Sequence, residues 1–349
     1  MAKSSKPIRV LVTGAGGFIG HHMTKYLKEK GYWVRGVDIK WPSYGETAAD
    51  EFEIFDLRRW ANCLQATRGV DHVYNFAANM GGIGFIETVH GEVMHDNVLI
   101  NTHMLEAARV HGVKRYFYSS SACVYATYKQ ETPDVEGLKE SDAYPADPDN
   151  EYGWEKLYTE RLCLNYAKDY GMVTRIARFH NIYGPLGTFD GGREKSPAAI
   201  CRKIAFAKDG GTIEIWGDGL QTRSYCYVDD CVEGVYRLTH SDFGEPLNIG
   251  SEEKVSINAL VDMVASIAGK KIQRKHDLTK PQGVRGRNSE NTLIRKVLRW
   301  EPKTPLQKGM EKTYRWIESE IRQYGEDRGL ANYSILEISR RGASGGGGR

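Results

Sequence analysis

Residues 8–13, IRVLVT, are apolar and β-branched, and they run directly into Gly14-Ala15-Gly16-Gly17-Phe18-Ile19-Gly20. A strand that turns at once into a helix through glycines spaced GxxGxxG fits the first βα unit of a dinucleotide-binding sheet. Gly14 permits the tight turn, Gly17 permits close backbone approach to a pyrophosphate, and Gly20 lets the helix pack on the strand. Backbone N–H groups over Gly16, Gly17, Phe18 and Ile19 would then face phosphate oxygens at the helix N-terminus. Asp38 closes the next predicted strand, 18 residues after Gly20. A carboxylate there accepts both adenosine ribose hydroxyls and repels a 2′-phosphate, which favours NAD over NADP, although Lys40 nearby softens the repulsion. Asp56, after a third strand, is placed to reach the adenine. The plain alternative is a structural glycine turn followed by an unrelated exposed Asp.

Residues 32–38, 72–78, 115–120 and 172–178 also read as strands, separated by helical stretches at about 18–30, 57–67, 91–111 and 150–170. Such alternation implies βαβ units and a parallel sheet. The fold class expected is α/β, a Rossmann-type doubly wound parallel sheet over residues 1–180. Past Asn181 the elements shorten. Helices are expected at 196–207, 256–269 and 305–324 and a strand at 212–217, giving a smaller, partly interleaved C-terminal substrate-binding domain over 181–330. The Gly-rich end, 331–349, is expected to be a flexible tail.

The chain of 349 residues carries a net charge of +3, but the first six residues contribute +2 and residues 331–349 another +2. The body is therefore at −1, which removes the support for a basic nucleic-acid-binding face. Six cysteines with no CxxC pair suggest neither a zinc ribbon nor a disulfide framework, so free thiols and no metal are expected. The amino terminus has no apolar signal core, and no run approaches the length of a membrane span. A soluble, cytoplasmic protein without membrane partners is the expectation.

Tyr152 and Lys156 stand four apart on one face of a predicted helix. An ammonium there favours tyrosinate, and such a Tyr can take a hydroxyl proton while a hydride leaves the same carbon for nicotinamide. Ser121 lies at the carboxyl end of a predicted strand, where ligands of such sheets bind. Cys123 alone reads either as a small buried hydrophobe or as a proton carrier.

With TGAGGFIG, SSSACVY, YGWEK and RFHNIYGP in place, residues 8–325 resemble the extended short-chain dehydrogenase/reductase family in its nucleotide-sugar branch. The resemblance implies that Ser121 hydrogen-bonds the sugar, Tyr152 is the base and Lys156 holds the nicotinamide ribose of a tightly bound, recycled NAD. It also implies a homodimer paired through helices 91–111 and 150–170. Dehydratases of the branch carry Asp-Glu where this chain has Ala122-Cys123, which disfavours loss of water. The strings at 80–85, 184–197, 216–223 and 284–288 resemble members that invert C3 and C5 of GDP-mannose, giving GDP-L-galactose, or GDP-L-gulose by C5 alone, a supply route to L-galactose and ascorbate. Cys123 and Lys195 would then be the pair that exchanges protons beside a 4-keto group. Arg223, Arg287 and Lys203 would meet the diphosphate, Asn181 the sugar or a phosphate oxygen, and Gly81, Glu194, Ser196 and Gln221 would complete the substrate site. Two other readings stay open: a single-centre 4-epimerase of a UDP-sugar, and a non-catalytic NAD-sensing module.

Overall fold

Val10 and Val12 of the first strand point into one apolar cluster and Leu11 into another, so both faces of the sheet are covered. The computed structural model describes residues 7–324. The expected tail at 331–349 and the charged leader lie outside the described residues. β1 (Arg9–Thr13), β2 (Trp33–Asp38), β3 (Glu51–Ile54), β4 (His72–Asn75), β5 (Arg115–Ser121) and β6 (Thr174–Phe179) form a parallel sheet with a seventh strand, Leu247–Ile249. The spatial order is Leu247–Ile249, β6, β5, β4, β1, β2, β3. The reversal beside β1 opens a crevice at the carboxyl ends, where doubly wound sheets bind ligands.

The helices are α1 (Phe18–Glu29), α2 (Trp60–Thr67), α3 (Ile83–Ile86), α4 (His90–Val110), α5 (Glu151–Tyr170), α6 (Ser196–Phe206), α7 (Val228–His240) and α8 (Ile257–Ala268), followed by Thr292–Leu298 and Leu306–Tyr324. α2, α4 and α5 cover the Leu11 face, while α1 and α7 cover the Val10 face. α6, α8 and Leu306–Tyr324 pack together beside a three-stranded sheet made of Lys254–Ser256, Thr222–Ser224 and Gly286–Arg287.

One strand boundary differs from the sequence reading, and two elements had no reading at all. The fourth strand ends at Asn75 rather than 78, because the N–H groups of Phe76 and Ala77 turn to the Thr13 hydroxyl, each at 3.1 Å. α7 and Leu247–Ile249 were not anticipated. Both belong to the main sheet layer although they follow the second-lobe segments in sequence, so the chain returns to the sheet after residue 181.

Candidate active site

The first turn of α1 has the properties a pyrophosphate requires. Gly14 sits at φ +68, and a Cβ on Gly20 would stand 2.1 Å from the Gly14 carbonyl oxygen. Gly17 is the α1 N-cap and offers no side chain to the helix N–H groups, which leaves them for an anion. A Cβ there would meet only the Gly14 carbonyl oxygen, at 3.2 Å. Phe18 opens the helix and packs toward Gly184 and Gly187, while Ile19 turns to the core. The Gly16 N–H donates to Asp38 Oδ2 at 2.9 Å, and Ile39 N–H donates to Oδ1 at 2.6 Å. Burial raises Asp38, and these backbone donors pull it back. Asp38 thus ties the glycine loop to the end of β2. This donor set fits NAD: uncapped helix N–H groups for the diphosphate and a carboxylate at the ribose position. Asp56 is held differently, in a bidentate pair with Arg58 at 2.9 Å on each arm.

At the carboxyl end of β5 the chain turns over Ala122–Val124, with the Ser121 hydroxyl accepting the Cys123 N–H at 3.1 Å. α5 begins directly against this turn. A Cβ on Gly153 would lie 2.2 Å from the Cys123 carbonyl oxygen, so the glycine of YGWEK permits that approach. Its neighbour Tyr152 packs with Cys123, Ile86 and Val93. One turn on, the buried Lys156 donates to the Ser119 carbonyl at 3.0 Å, and its ammonium stands 5.3 Å from the Tyr152 ring centre.

The expected lowering of the Tyr152 phenol is not seen. Burial raises it strongly, the charges of Glu155 and Cys123 add to this, and only the Ser121 hydroxyl opposes. Burial likewise lowers Lys156, against which the Glu155 carboxylate acts most. The expectation that the ammonium favours tyrosinate is therefore not met in this arrangement.

Arg287 approaches Cys123 from the other side. Its Nη1 donates to the thiol sulfur at 3.2 Å, its Nη2 to Asp149 Oδ2 at 3.1 Å, and its Nε to Gln130 Oε1 at 2.5 Å. Burial opposes this charge, but Asp149 and Cys123 hold the guanidinium above its ordinary value. Lys195 faces the same group: burial lowers it, Cys123 pulls it up and Arg287 pushes it down. Arg223 is brought down to about 10 by burial and then by Arg287. Its Nη1 and Nη2 donate to the backbone carbonyls of Thr222 and Gln282 at 2.8 and 3.4 Å. Cys123 thus acts on all three cations and Asp149 on two of them, an excess of positive charge suited to an incoming diphosphate.

The segment bearing Lys195 is clamped against the loop after β4. Gly82 N–H donates to the Arg193 carbonyl at 3.0 Å, and a Cβ on Gly82 would meet the Glu194 carbonyl oxygen at 2.3 Å. Gly81 packs on Phe85. Glu194 Oε1 accepts from Arg202 at 3.1 Å, and its buried Oε2 has no partner among the described residues. Gln221 donates to the Trp216 carbonyl at 3.2 Å, while its Oε1 is likewise buried and unpartnered. These two oxygens are acceptors with nothing to accept from among the described residues. Ser196 pairs with the Tyr225 hydroxyl at 2.8 Å. Asn181, at φ +47, donates to the Ser224 carbonyl at 3.0 Å, and Lys203 donates to the Glu214 carbonyl at 2.7 Å. Sequence reasoning missed Asp149, Gln130 and Gly153. Only the glycine, in the first turn of a helix, left a local signal.

The sequence matches the NAD dependent epimerase/dehydratase family over residues 10–250. It is 52% identical over 320 residues to the GDP-mannose 3,5-epimerase of Arabidopsis thaliana, covering 91% of this chain and 84% of that protein. It is 51% identical over 319 residues to GDP-mannose 3,5-epimerase 1 of Oryza sativa subsp. japonica, covering 91% and 83%. Among solved structures it resembles the Thermus thermophilus UDP-glucose 4-epimerase in complex with NAD, at 25% identity and a TM-score of 0.76, over 89% of this chain and 99% of that one.

Proposed function

The chain belongs to the NAD dependent epimerase/dehydratase family, and from that membership we propose that it inverts C3 and C5 of GDP-α-D-mannose. The product is GDP-L-galactose, with GDP-L-gulose formed when C5 alone inverts. The observation that carries this reading is Cys123, a thiol packed on Tyr152, bonded to Arg287 and acting on the charge of Lys195. A single-centre 4-epimerase needs a Tyr–Lys pair but no such second proton-transfer pair.

The glycine loop and Asp38 would hold NAD, with Lys156 toward its nicotinamide ribose, and the cofactor would supply the hydride chemistry at C4. The protein does the rest. Tyr152 takes the O4 proton as the ketone forms and gives it back when the alcohol is restored. Between these events the C5 and C3 protons are acidic, because each lies α to the C4 carbonyl. Cys123 and Lys195 bear on the ring as two groups of opposite proton affinity, one removing a proton and the other returning it from the opposite face. Ser121 orients the sugar, Arg223 and Arg287 take the diphosphate, and the free oxygens of Glu194 and Gln221 accept substrate N–H or O–H groups. Burial lowers Lys195, which eases release and return of a proton at its ammonium.

Two copies would pair through α4 and α5, which carry the exposed apolar side chains Met94, Trp154 and Tyr158. A cytoplasmic homodimer supplying L-galactose for ascorbate is the setting this reading implies. Among the described residues no helix is long and apolar enough to cross a membrane.

Incubation of the holoenzyme with GDP-mannose in D₂O tests the assignment. Deuterium is expected at C5 and C3 of recovered sugar. Turnover at C4 without deuterium at either carbon would instead establish the 4-epimerase, and NAD binding without any turnover the sensing module.

A further inference from the structure

Glu155 lies between Tyr152 and Lys156 in sequence, yet the reaction above gives it no task. Its side chain is wholly buried. It faces α4, where Asn97 Nδ2 donates to Oε1 at 3.0 Å and Asn101 Nδ2 donates to Oε2 at 3.2 Å. Lys156 Nζ stands 3.8 Å from Oε1. A carboxyl group placed there is costly unless it is paired, and two amide donors together with one ammonium supply the pairing. The contacts continue beyond it. Asn97 donates to the Asn79 carbonyl at 3.0 Å and accepts the Asn79 N–H at 2.6 Å. Asn79 Oδ1 in turn accepts from Arg193 Nη1 at 3.1 Å, two residues before Lys195. An unbroken set of polar contacts therefore joins the Tyr152–Lys156 turn to the segment that carries Lys195.

We propose that Glu155 is a positioning residue whose carboxylate is the counter-ion that keeps Lys156 charged beside Tyr152, and which through Asn97 fixes the Asn79 loop against Arg193. This rests on the oxidation at C4 assigned above to Tyr152. The charged and titratable groups around the pair are few. Glu155 acts on Tyr152 of its own helix and on Tyr118 of β5, while α4 presents it with neutral amides. Lys156 also feels Cys123, Glu160 and Cys163. Burial raises Glu155 to about 7 and lowers Lys156, and each charge draws the other back toward its ionised form. Removing the carboxylate takes away the largest of the charges that oppose burial at Lys156, so its ammonium should be lost at lower pH.

The test uses NAD-loaded protein carrying ¹³Cε-lysine, with the Lys156 resonance assigned by its absence in Lys156→Arg. In Glu155→Gln the Lys156 titration midpoint is expected at least one pH unit below wild type, a tenfold change in its ionisation constant. Glu155→Asp, which keeps the charge but withdraws it by one methylene, should lie between. The alkaline fall in the rate of reduced-cofactor formation on mixing with GDP-mannose should move with that midpoint. An unmoved Lys156 midpoint in Glu155→Gln overturns the proposal, as does an alkaline fall that stays in place while the midpoint moves. If Glu155→Gln does not fold, Glu155→Asp decides alone: a lowered midpoint supports the role and an unchanged one removes it. The resonance is read without sugar, so failure of the GDP-mannose reading and failure of this one are separable.

Discussion

Arg287 holds the Cys123 sulfur at 3.2 Å through one arm of its guanidinium while the other arm is anchored on Asp149 at 3.1 Å. The thiol is thus fixed between a cation and the start of α5. It is also the one partly exposed cysteine, since Cys63, Cys163, Cys201, Cys226 and Cys231 are all buried. Brief treatment of the native holoenzyme with iodoacetamide should therefore modify Cys123 first, and GDP-mannose should protect it. Cys123→Ser should slow deuterium exchange at C3 and C5 by roughly 10²-fold or more, the size of a lost acid–base group, while reduced cofactor still forms. Peptide mass spectrometry checks the first outcome and exchange kinetics the second; normal exchange in Cys123→Ser removes the thiol from the chemistry.

Gly82 offers a way to disturb Lys195 without touching it. A methyl group there meets the backbone carbonyl oxygen of Glu194 at 2.3 Å, so one of the two loops must move. In Gly82→Ala, exchange at C3 and C5 should fall by about ten- to 10²-fold, the upper figure being what an ångström of misplacement can cost a reacting group, while NAD content is retained. The ratio of exchange rate to bound-NAD content decides it, and equal ratios in variant and wild type count against the clamp.

Acid should weaken the fold before the carboxylates titrate. Burial, followed by His240 and Arg115, lowers His72 to about 4, and burial lowers His180 to about 3. Both return to about 6.5 in the unfolded chain, which therefore binds more protons than the folded one below that pH. Their stabilisation is fully present above pH 6.5 and is lost as pH falls toward 4 and then 3. At about 1.4 kcal/mol per pH unit, His72 alone accounts for up to about 3 kcal/mol. Urea unfolding at pH 6.5 and 4.5 should show a clear drop in midpoint, and equal midpoints would contradict it.

Arg178 and Glu160 form a buried two-armed pair, at 2.8 and 2.7 Å, and Ser120 donates to the same carboxylate. Breaking one partner strands a charge, so Glu160→Gln should cost about 3–5 kcal/mol. The double variant Glu160→Leu with Arg178→Met should cost less than Glu160→Gln alone. Chemical denaturation of the three proteins measures this, and a double variant weaker than the single one would show that the network contributes more than its charges.

The cofactor end of the molecule was readable because its constraints are local. Gly14 needs a positive φ, Gly20 needs contact with the Gly14 carbonyl, and Tyr152 and Lys156 need one helix face, so each is written within a few residues. Leu247–Ile249 was not readable, since three residues carry no period. α7 does repeat apolar residues at Cys231, Val232, Val235 and Leu238. Its N-cap, Tyr227, is the last residue of the strand before it and offers no capping side chain, so nothing but the two aspartates marks where the helix begins. The partners of Arg287 were beyond reach for another reason. Asp149 and Gln130 lie 138 and 157 residues away in sequence, and no spacing rule connects such positions. Local reading therefore found which side chains carry chemistry, whereas the forces that set their charge had to come from the fold.

The strand Leu247–Ile249 does more than close the sheet against β6. Its Asn248 Oδ1 accepts from the Tyr125 hydroxyl at 2.5 Å, and its amide donates to the Leu138 carbonyl at 2.8 Å. Tyr125 is two residues from Cys123, so sequence from the later half of the chain underpins the turn that presents the thiol. Recombination at residue 180 would therefore not exchange one sugar specificity for another on an unchanged catalytic base. It would replace the last strand of the sheet and the support beneath Cys123 in the same event. A cut at residue 180 therefore leaves neither half with the chemistry whole.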